Sequence, residues 1–360
     1  MSPKSVFFFV VVLLTVSTMT LVSISTIKGE EPITDPWKGF VEVSFRLMAS
    51  FVVFLVFSNV DYRIHKDQKI FWTYYAVLMV SLILVLILPS HGTEAKRWIK
   101  LGNLSVQPSE FVKIYVIAFL ARYLESVKNE IRKFVNFLKP LAVLSPMFIA
   151  IAFEPDMSTA LIIVLLSLLI LYAGGAKLFH VLLVIGLVVI TVLFLFQSEK
   201  LRGYQIERLR SFIRGNISEQ TLMALESIKS GGFVGKGVVM GDVKLLVPAV
   251  ESDFILAIVG EELGYLGIAI VLVAYLGLVY SLVKIAERFV EDVFVRMFIV
   301  GYSYLIVLQV TVNLGVNAGI LPVTGIPLPF LSHGGSSLMS FMLGLGIITN
   351  AVYGRREEEE

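Results

Sequence analysis

Five short polar stretches carry the residues of this chain that could do chemistry, and each lies beside an apolar run. In VPAVESDFILAIVGEELGYLG (247–267), Asp253 follows Pro248 and opens a hydrophobic helical pattern. A carboxylate at a water–membrane boundary suits a general base that takes a proton from an attacking hydroxyl, and a mildly raised pKa would help it. The same position suits an N-cap, and residue type alone leaves both readings open. Glu251, Glu261 and Glu262 are near enough in sequence to compete for the base role.

In AKRWIKLGNLSVQPSEFVK (95–113), Arg97–Trp98 reads as an interfacial anchor. Pro108 and Ser109 then start a helix whose Glu110 and Lys113 share one face at i, i+3 spacing. This is either a structural ion pair or a functional one, since charges within a span are expensive and default to function. In EPDMSTA (154–160), Asp156 is a second N-cap candidate after a turn at Pro155, with Lys113 or Arg97 as its expected partner. Two carboxylates and two cations gathered there suit a cation or a diphosphate, and Arg46, alone in the second span, is a candidate addition. The basic run KLRGYQIERLRSFIRG (200–215), which contains Arg208, reads either as a surface helix on anionic lipid or as a phosphate-recognition site. NAGILPVTGIPLPFLSHGGSS (317–337) has three prolines and four glycines, so it is no simple helix. It reads as an ordered loop dipping back into protein and lining a groove, with Ser336 and Ser337 starting the last span.

The elements that must position these residues are membrane helices. The 360 residues are 57% hydrophobic and only 16% charged, with a mean hydropathy of +0.85. Soluble chains carry about 45–50% apolar and roughly 25% charged residues. Apolar segments fall at 6–27, 39–58, 70–88, 109–125, 139–154, 156–174, 178–196, 258–283, 294–314 and 336–353. The expected fold is therefore an all-α integral membrane protein: one polytopic domain (1–360) of about ten spans, with one large extracytoplasmic loop over 197–257. The first run is long and lacks a small-x-small cleavage site, so it is taken as an uncleaved helix. With the N-terminus inside, the inner segments hold fifteen Lys/Arg and the short outer ones five. Both termini are therefore expected in the cytoplasm.

No cysteine is present and the four histidines are scattered, which removes thiol chemistry and argues against a zinc site. No Walker loop or dinucleotide fingerprint appears, because GGFVGKG (231–237) lacks the P-loop spacing and its trailing Ser/Thr. No bound nucleotide is expected, and no nucleic-acid partner.

Taken together and in this order, RWIKLG…QPSEFVK, EPDMSTA, SGGFVGKG…VPAVESDFILAIVGEELGYLG and LPVTGIPLPFLSHGGSS resemble the SEDS family (shape, elongation, division and sporulation proteins). The resemblance spans residues 95–350, and PVTGIPLPF is closer to the rod-shape members than to the division members. It implies a peptidoglycan glycosyltransferase that polymerises lipid II, both donor and acceptor, at the outer face of the bacterial cytoplasmic membrane. It also implies a class B penicillin-binding protein as partner. The family's essential aspartate corresponds to Asp253 as general base, and its other important polar positions correspond to Arg97, Glu110, Lys113 and Asp156. Arg208, Lys236, Ser336 and Ser337 complete the expected substrate-binding set. A divalent cation, Mg2+ or Mn2+, is compatible with a diphosphate leaving group. The chain departs from the family pattern at Ala249, Glu251, Ser252, Ser158 and His333, which lets Glu251 share or tune the base role. A lipid II transporter and a scaffold that only activates the penicillin-binding protein are the rival readings.

Overall fold

The computed structural model describes residues 3–27, 36–88, 97–101, 104–154, 156–197, 212, 214, 215 and 217–359. The helices are α1 (Pro3–Ile27), α2 (Pro36–Asn59), α3 (Gln68–Ile87), α4 (Pro108–Val127), α5 (Phe134–Phe153), α6 (Met157–Ala173), α7 (Leu178–Gln197), α8 (Glu219–Gly231), α9 (Ile255–Ala286), α10 (Val293–Asn317) and α11 (Gly335–Glu359). All but α8 coincide with the ten apolar runs. Among the described residues seven helices are long and apolar enough to cross a membrane, and α6 and α7 are shorter apolar helices. α4 is uncharged apart from Glu110, Lys113, Arg122 and Glu125. The all-α expectation holds except for a small antiparallel hairpin, β1 (Ile99–Leu101) with β2 (Leu104–Val106), in which Ile99 pairs with Val106. A Gly-Asn dipeptide between two short runs is a two-residue hairpin signal. The turn expected at Pro155, Arg208 and most of the basic run 200–215 lie outside the described residues.

The chain divides into two compact units. The first comprises Met1–Phe51, Gly203–Ser281 and Gln309–Gly334. Its long helix α9 has 32 residues, about 48 Å at 1.5 Å per residue, yet it is broken at Gly264, whose φ of 68° and ψ of −167° are not helical. The SGGFVGKG segment docks onto this break through main-chain bonds. Tyr265 N–H donates to the Gly232 carbonyl (3.0 Å) and Leu266 N–H to that of Phe233 (3.1 Å). In return, Lys236 N–H donates to the Glu261 carbonyl (2.9 Å) and Gly237 N–H to that of Glu262 (3.0 Å). A Cβ on Gly264 would sit 2.4 Å from the Gly235 nitrogen, and one on Gly235 would sit 2.2 Å from the Glu262 carbonyl oxygen. Only glycine permits this approach. The glycine-rich stretch is thus a clasp on a broken helix.

Residues 318–334 of the same unit are irregular, as three prolines require. Buried irregular backbone needs partners for its carbonyls, and side chains supply them. Asn313 Nδ2 donates to the Ile326 carbonyl (2.9 Å), Tyr275 to that of Pro329 (2.6 Å) and Ser17 to that of Leu331 (2.6 Å). α1 is therefore tied into the unit by hydrogen bonding as well as by its apolar face.

The second unit comprises Val52–Arg202, Leu282–Leu308 and Gly335–Glu360. α4 is its axis: most of its residues are buried, and it packs against α3, α5, α6 and α11. α5 contains Pro140, which has no N–H for the carbonyl of Asn136. Tyr123 on α4 donates to that carbonyl instead (2.7 Å), so the proline joins the two helices. At one end of the unit Lys66 reaches Glu125 (2.9 Å) and Asp292 (3.1 Å), and Tyr62 donates to Asp292 (3.0 Å). Burial would raise the Asp292 carboxyl, but the Val295 N–H and Lys66 outweigh it and hold the group below its ordinary value.

Candidate active site

Asp253 lies in a turn running from Pro248 to Phe254, two residues ahead of the first helical residue of α9. Phe254, not Asp253, therefore stands at the cap position. The turn contains a strained residue, Ala249 with φ of 54°, and Asp253 N–H donates to the Ala249 carbonyl (3.1 Å). On the other side, the Asp253 carbonyl accepts from Asn313 Nδ2 (2.9 Å) and Asn317 Nδ2 (3.2 Å). These asparagines sit one turn apart on α10, and Asn313 uses its two N–H donors on Asp253 and Ile326. The main chain of Asp253 is thus gripped from both sides, while the residue keeps partial exposure. Such anchoring through main-chain atoms fixes the backbone from which the carboxylate projects.

The residues before Asp253 are held just as firmly. His333 N–H donates to the Glu251 carbonyl (2.7 Å), and Ser332 Oγ donates to that of Ser252 (2.5 Å). The His333 ring lies between two carboxylates, with Nδ1 3.9 Å from Glu251 and Nε2 3.7 Å from Glu42. Arg46 was expected to join Arg97 and Lys113. Its electrostatic partners among the described residues are Glu42 and Glu251, in the unit that carries Asp253. Arg46 is buried, and its Nε and Nη1 have no hydrogen-bond partner among the described residues. A buried guanidinium with unsatisfied donors suits an oxyanion.

Glu261 and Glu262 do not compete with Asp253. Both are fully buried, and they hold the loop that leads to it. Glu261 Oε1 accepts from Lys236 Nζ (2.7 Å) and Val243 N–H (3.2 Å), while its Oε2 accepts from Ser227 Oγ (3.0 Å) and Lys244 N–H (2.6 Å). Glu262 Oε1 accepts from Lys244 Nζ, Ser23 Oγ and Val239 N–H. Lys236, one of the expected substrate contacts, is thus an ion-pair partner with a third of its side chain exposed.

The second unit holds a polar cluster of its own. Glu110 and Lys113 form the expected pair on α4 at 2.7 Å, both buried. Asp156 caps α6, its Oδ1 accepting from Thr159 N–H (3.2 Å). Its Oδ2 accepts from Gln107 Nε2 (3.4 Å) and lies 3.9 Å from Arg97 Nη1. Ser336 is engaged by the main chain, accepting from Gln107 N–H (2.9 Å) and donating to the Ser105 carbonyl (3.3 Å). Ser337 Oγ is buried with no partner among the described residues, and the same holds for Glu110 Oε2.

Several participants went unread in the sequence. Glu154 is fully buried, and neither of its carboxyl oxygens has a hydrogen-bond partner among the described residues. Burial pushes its pKa up to about 8, nearby Asp156 adds to the rise and Arg97 opposes it. Asn313 and Asn317 could have been found as two amides at i, i+4 spacing within an apolar span. Gln107 opens the QPSEFVK motif, but its residue type suggested no role there. Among the described residues no three His, Asp or Glu side chains gather as a ligand set, and the paired carboxylates already have cationic partners. These residues do not fit a resident divalent ion.

The family profile described as a cell cycle protein, that of FtsW, RodA and SpoVE, matches residues 4–357. A probable peptidoglycan glycosyltransferase FtsW of Geobacter sp. (strain M18) is 30% identical over 339 residues, which cover 91% of this chain and 90% of that one. Stage V sporulation protein E of Bacillus subtilis (strain 168) is 32% identical over 305 residues, 81% of each chain. Among solved structures, a chain of a peptidoglycan synthase complex that coordinates polymerization and crosslinking superposes with a TM-score of 0.78 at 24% identity, over 97% of both chains. The rod shape determining protein RodA of Thermus thermophilus gives 0.71 at 23% identity, over 97% of this chain and 96% of that one. These two likenesses concern the fold; the profile and the sequence relatives carry the kinship. Matched over nearly its whole length, the chain belongs to the FtsW, RodA and SpoVE family, the SEDS proteins that its motifs resemble.

Proposed function

We propose that this protein is a peptidoglycan glycosyltransferase that polymerises lipid II at the outer face of a bacterial cytoplasmic membrane. The observation that carries the reading is the anchoring of Asp253 through its main chain, with the residue still partly open. The names of the sequence relatives support the reaction class. Asp253 takes the proton of the acceptor's sugar 4-hydroxyl. That oxygen attacks the anomeric carbon of the donor, a new C–O bond forms, and the bond to the diphosphate oxygen breaks with inversion. Undecaprenyl diphosphate leaves with the electron pair, and cationic groups offset its charge. Arg97 and the Glu110–Lys113 pair, with Asp156 orienting Arg97, are the substrate-binding candidates of the second unit. Arg46 is added in the first. The expected Mg2+ or Mn2+ enters only as a counter-ion that the substrate's diphosphate brings with it.

The class B penicillin-binding protein stays in this reading as the partner, as do cytoplasmic termini and an outward-facing 197–257 loop. The activity is assigned at the level of the family. Sequence relatives at 30% identity or more carry FtsW and SpoVE names, which weigh against the rod-shape branch suggested by PVTGIPLPF. The test is polymerisation of lipid II by the purified protein with and without its partner, alongside Asp253→Asn. Glycan strands that vanish in the variant while fold and partner binding persist are the expected result. Strands of undiminished length in the variant would remove Asp253 from the chemistry. Intact lipid II in every lane, with partner bound, would favour transport or scaffolding.

A further inference from the structure

A cavity of about 560 Å3 opens among α3, α4 and α5 of the second unit, toward the ends of those helices. Its rim is polar: Gln68 is the first residue of α3, Ser126 lies in the last turn of α4 and Lys139 in the second turn of α5. Farther from the helix ends the wall becomes apolar, with Trp72 and Phe119.

The lining contains two cations, Arg122 and Lys139, and no carboxylate. Acidic groups around it already have partners. Glu125 binds Lys66 at 2.9 Å, Glu130 binds Lys133 at 3.2 Å, and Asp67 accepts the N–H groups of Lys69 and Ile70 at the start of α3. Among the described residues neither Arg122 nor Lys139 forms an ion pair; the Arg122 guanidinium lies 5.1 Å over the Phe71 ring. A half-buried Arg beside an exposed Lys, above an aromatic wall, presents positive charge whose acidic neighbours, Asp67 for Arg122 and Glu130 for Lys139, lie beyond ion-pair distance and are already engaged elsewhere. Two of the three helices are long enough to cross a membrane, so the end at which they stop is the level of lipid headgroups. A free phosphate would satisfy the cations but would leave the apolar wall without a counterpart. A phospholipid matches both halves.

We propose that this cavity is a binding site for an anionic phospholipid, its phosphodiester gripped by Arg122 and Lys139 and its first acyl carbons lying on Trp72 and Phe119. The site is separate from the residues assigned to polymerisation and does not depend on that assignment.

Native mass spectrometry of the full chain in detergent, with phosphatidylglycerol or phosphatidylcholine added, tests it. Phosphatidylglycerol is expected to bind roughly tenfold more tightly than phosphatidylcholine, and Arg122→Gln/Lys139→Gln should reduce it to the phosphatidylcholine level. Lys69→Gln removes an exposed lysine outside the lining and should leave binding unchanged. Millimolar inorganic phosphate should not displace the lipid; displacement would assign the site to a soluble anion and overturn the proposal. Equal binding of the two lipids, or an unaffected double variant, would also overturn it. If the double variant does not fold, quenching of Trp72 by brominated lipid, with Trp37 and Trp98 replaced by Phe, decides on otherwise native protein. Quenching by the anionic lipid alone supports the site, and equal quenching by both lipids refutes it.

Discussion

Lys244 and Glu262 form an ion pair in which neither side chain has any exposure. Removing one member leaves the other charged in a place without water, which costs about 3–5 kcal/mol. Lys244→Met should therefore lower the melting temperature of the detergent-solubilised protein sharply. Lys244→Met/Glu262→Gln, which removes both charges but keeps an acceptor for Ser23 and Val239, should recover part of the loss. A single variant as stable as the parent would mean that the pair is not buried as described.

Gly264→Ala tests the clasp. The positive φ alone costs about 1–3 kcal/mol for a residue with a side chain, and the methyl group would collide with the main chain of Gly235. Faster proteolysis within residues 232–247, with the remaining helices intact, is the expected readout. Gly186, which has open space around its missing Cβ, is the matched control.

Asn313→Ala removes the donor shared by Asp253 and Ile326. The proposed base would then lose one of its two asparagine anchors, and misplacement by an ångström can cost about a hundredfold in rate. Turnover should fall far more than KM rises. A change in KM alone would place Asn313 in substrate binding and would count against a positioning role.

Glu154 gives a pH dependence whose sign can be stated. Its folded pKa of about 8 exceeds its ordinary value of 4.5, so the folded state binds the extra proton between those limits. Stability should decline as pH rises through that window and level off above it. Thermal unfolding between pH 6 and 9 should show the decline in the parent protein. Glu154→Gln, which cannot ionise, should show much less of it. Superimposable pH profiles would exclude Glu154 as the titrating group.

The sequence announced the spans because hydropathy acts on each segment alone, and it announced the pairing of Glu110 with Lys113 because helical geometry brings i and i+3 together. Asp156 as a cap was legible for the same local reason. The work of the GGFVGKG stretch was not, since it depends on a break in α9 that only the docked loop explains. Nor were the roles of Glu261 and Glu262, which as types are indistinguishable from a catalytic carboxylate. The interaction of Arg46 with Glu42 and Glu251 was not legible, because a lone charge in a span names no neighbour. Asp253 drew attention through its motif, yet the asparagines that hold it lie sixty and sixty-four residues away along the chain.

The hydrogen bond from Ser17 to the Leu331 carbonyl closes a separation of 314 residues. At synthesis rates of roughly 5–20 residues per second, the first helix waits on the order of 15–60 s before its acceptor exists. The irregular 318–334 segment, whose carbonyls draw on α1, α9 and α10, can therefore take its native path only after all three of those helices have been made. Until then the Ser17 hydroxyl can turn back to the preceding turn of its own helix, as Thr15 and Thr18 do. Assembly of the unit that carries Asp253 is consequently a late event in biogenesis, and nascent chains that stop short of this segment would be inserted but inactive.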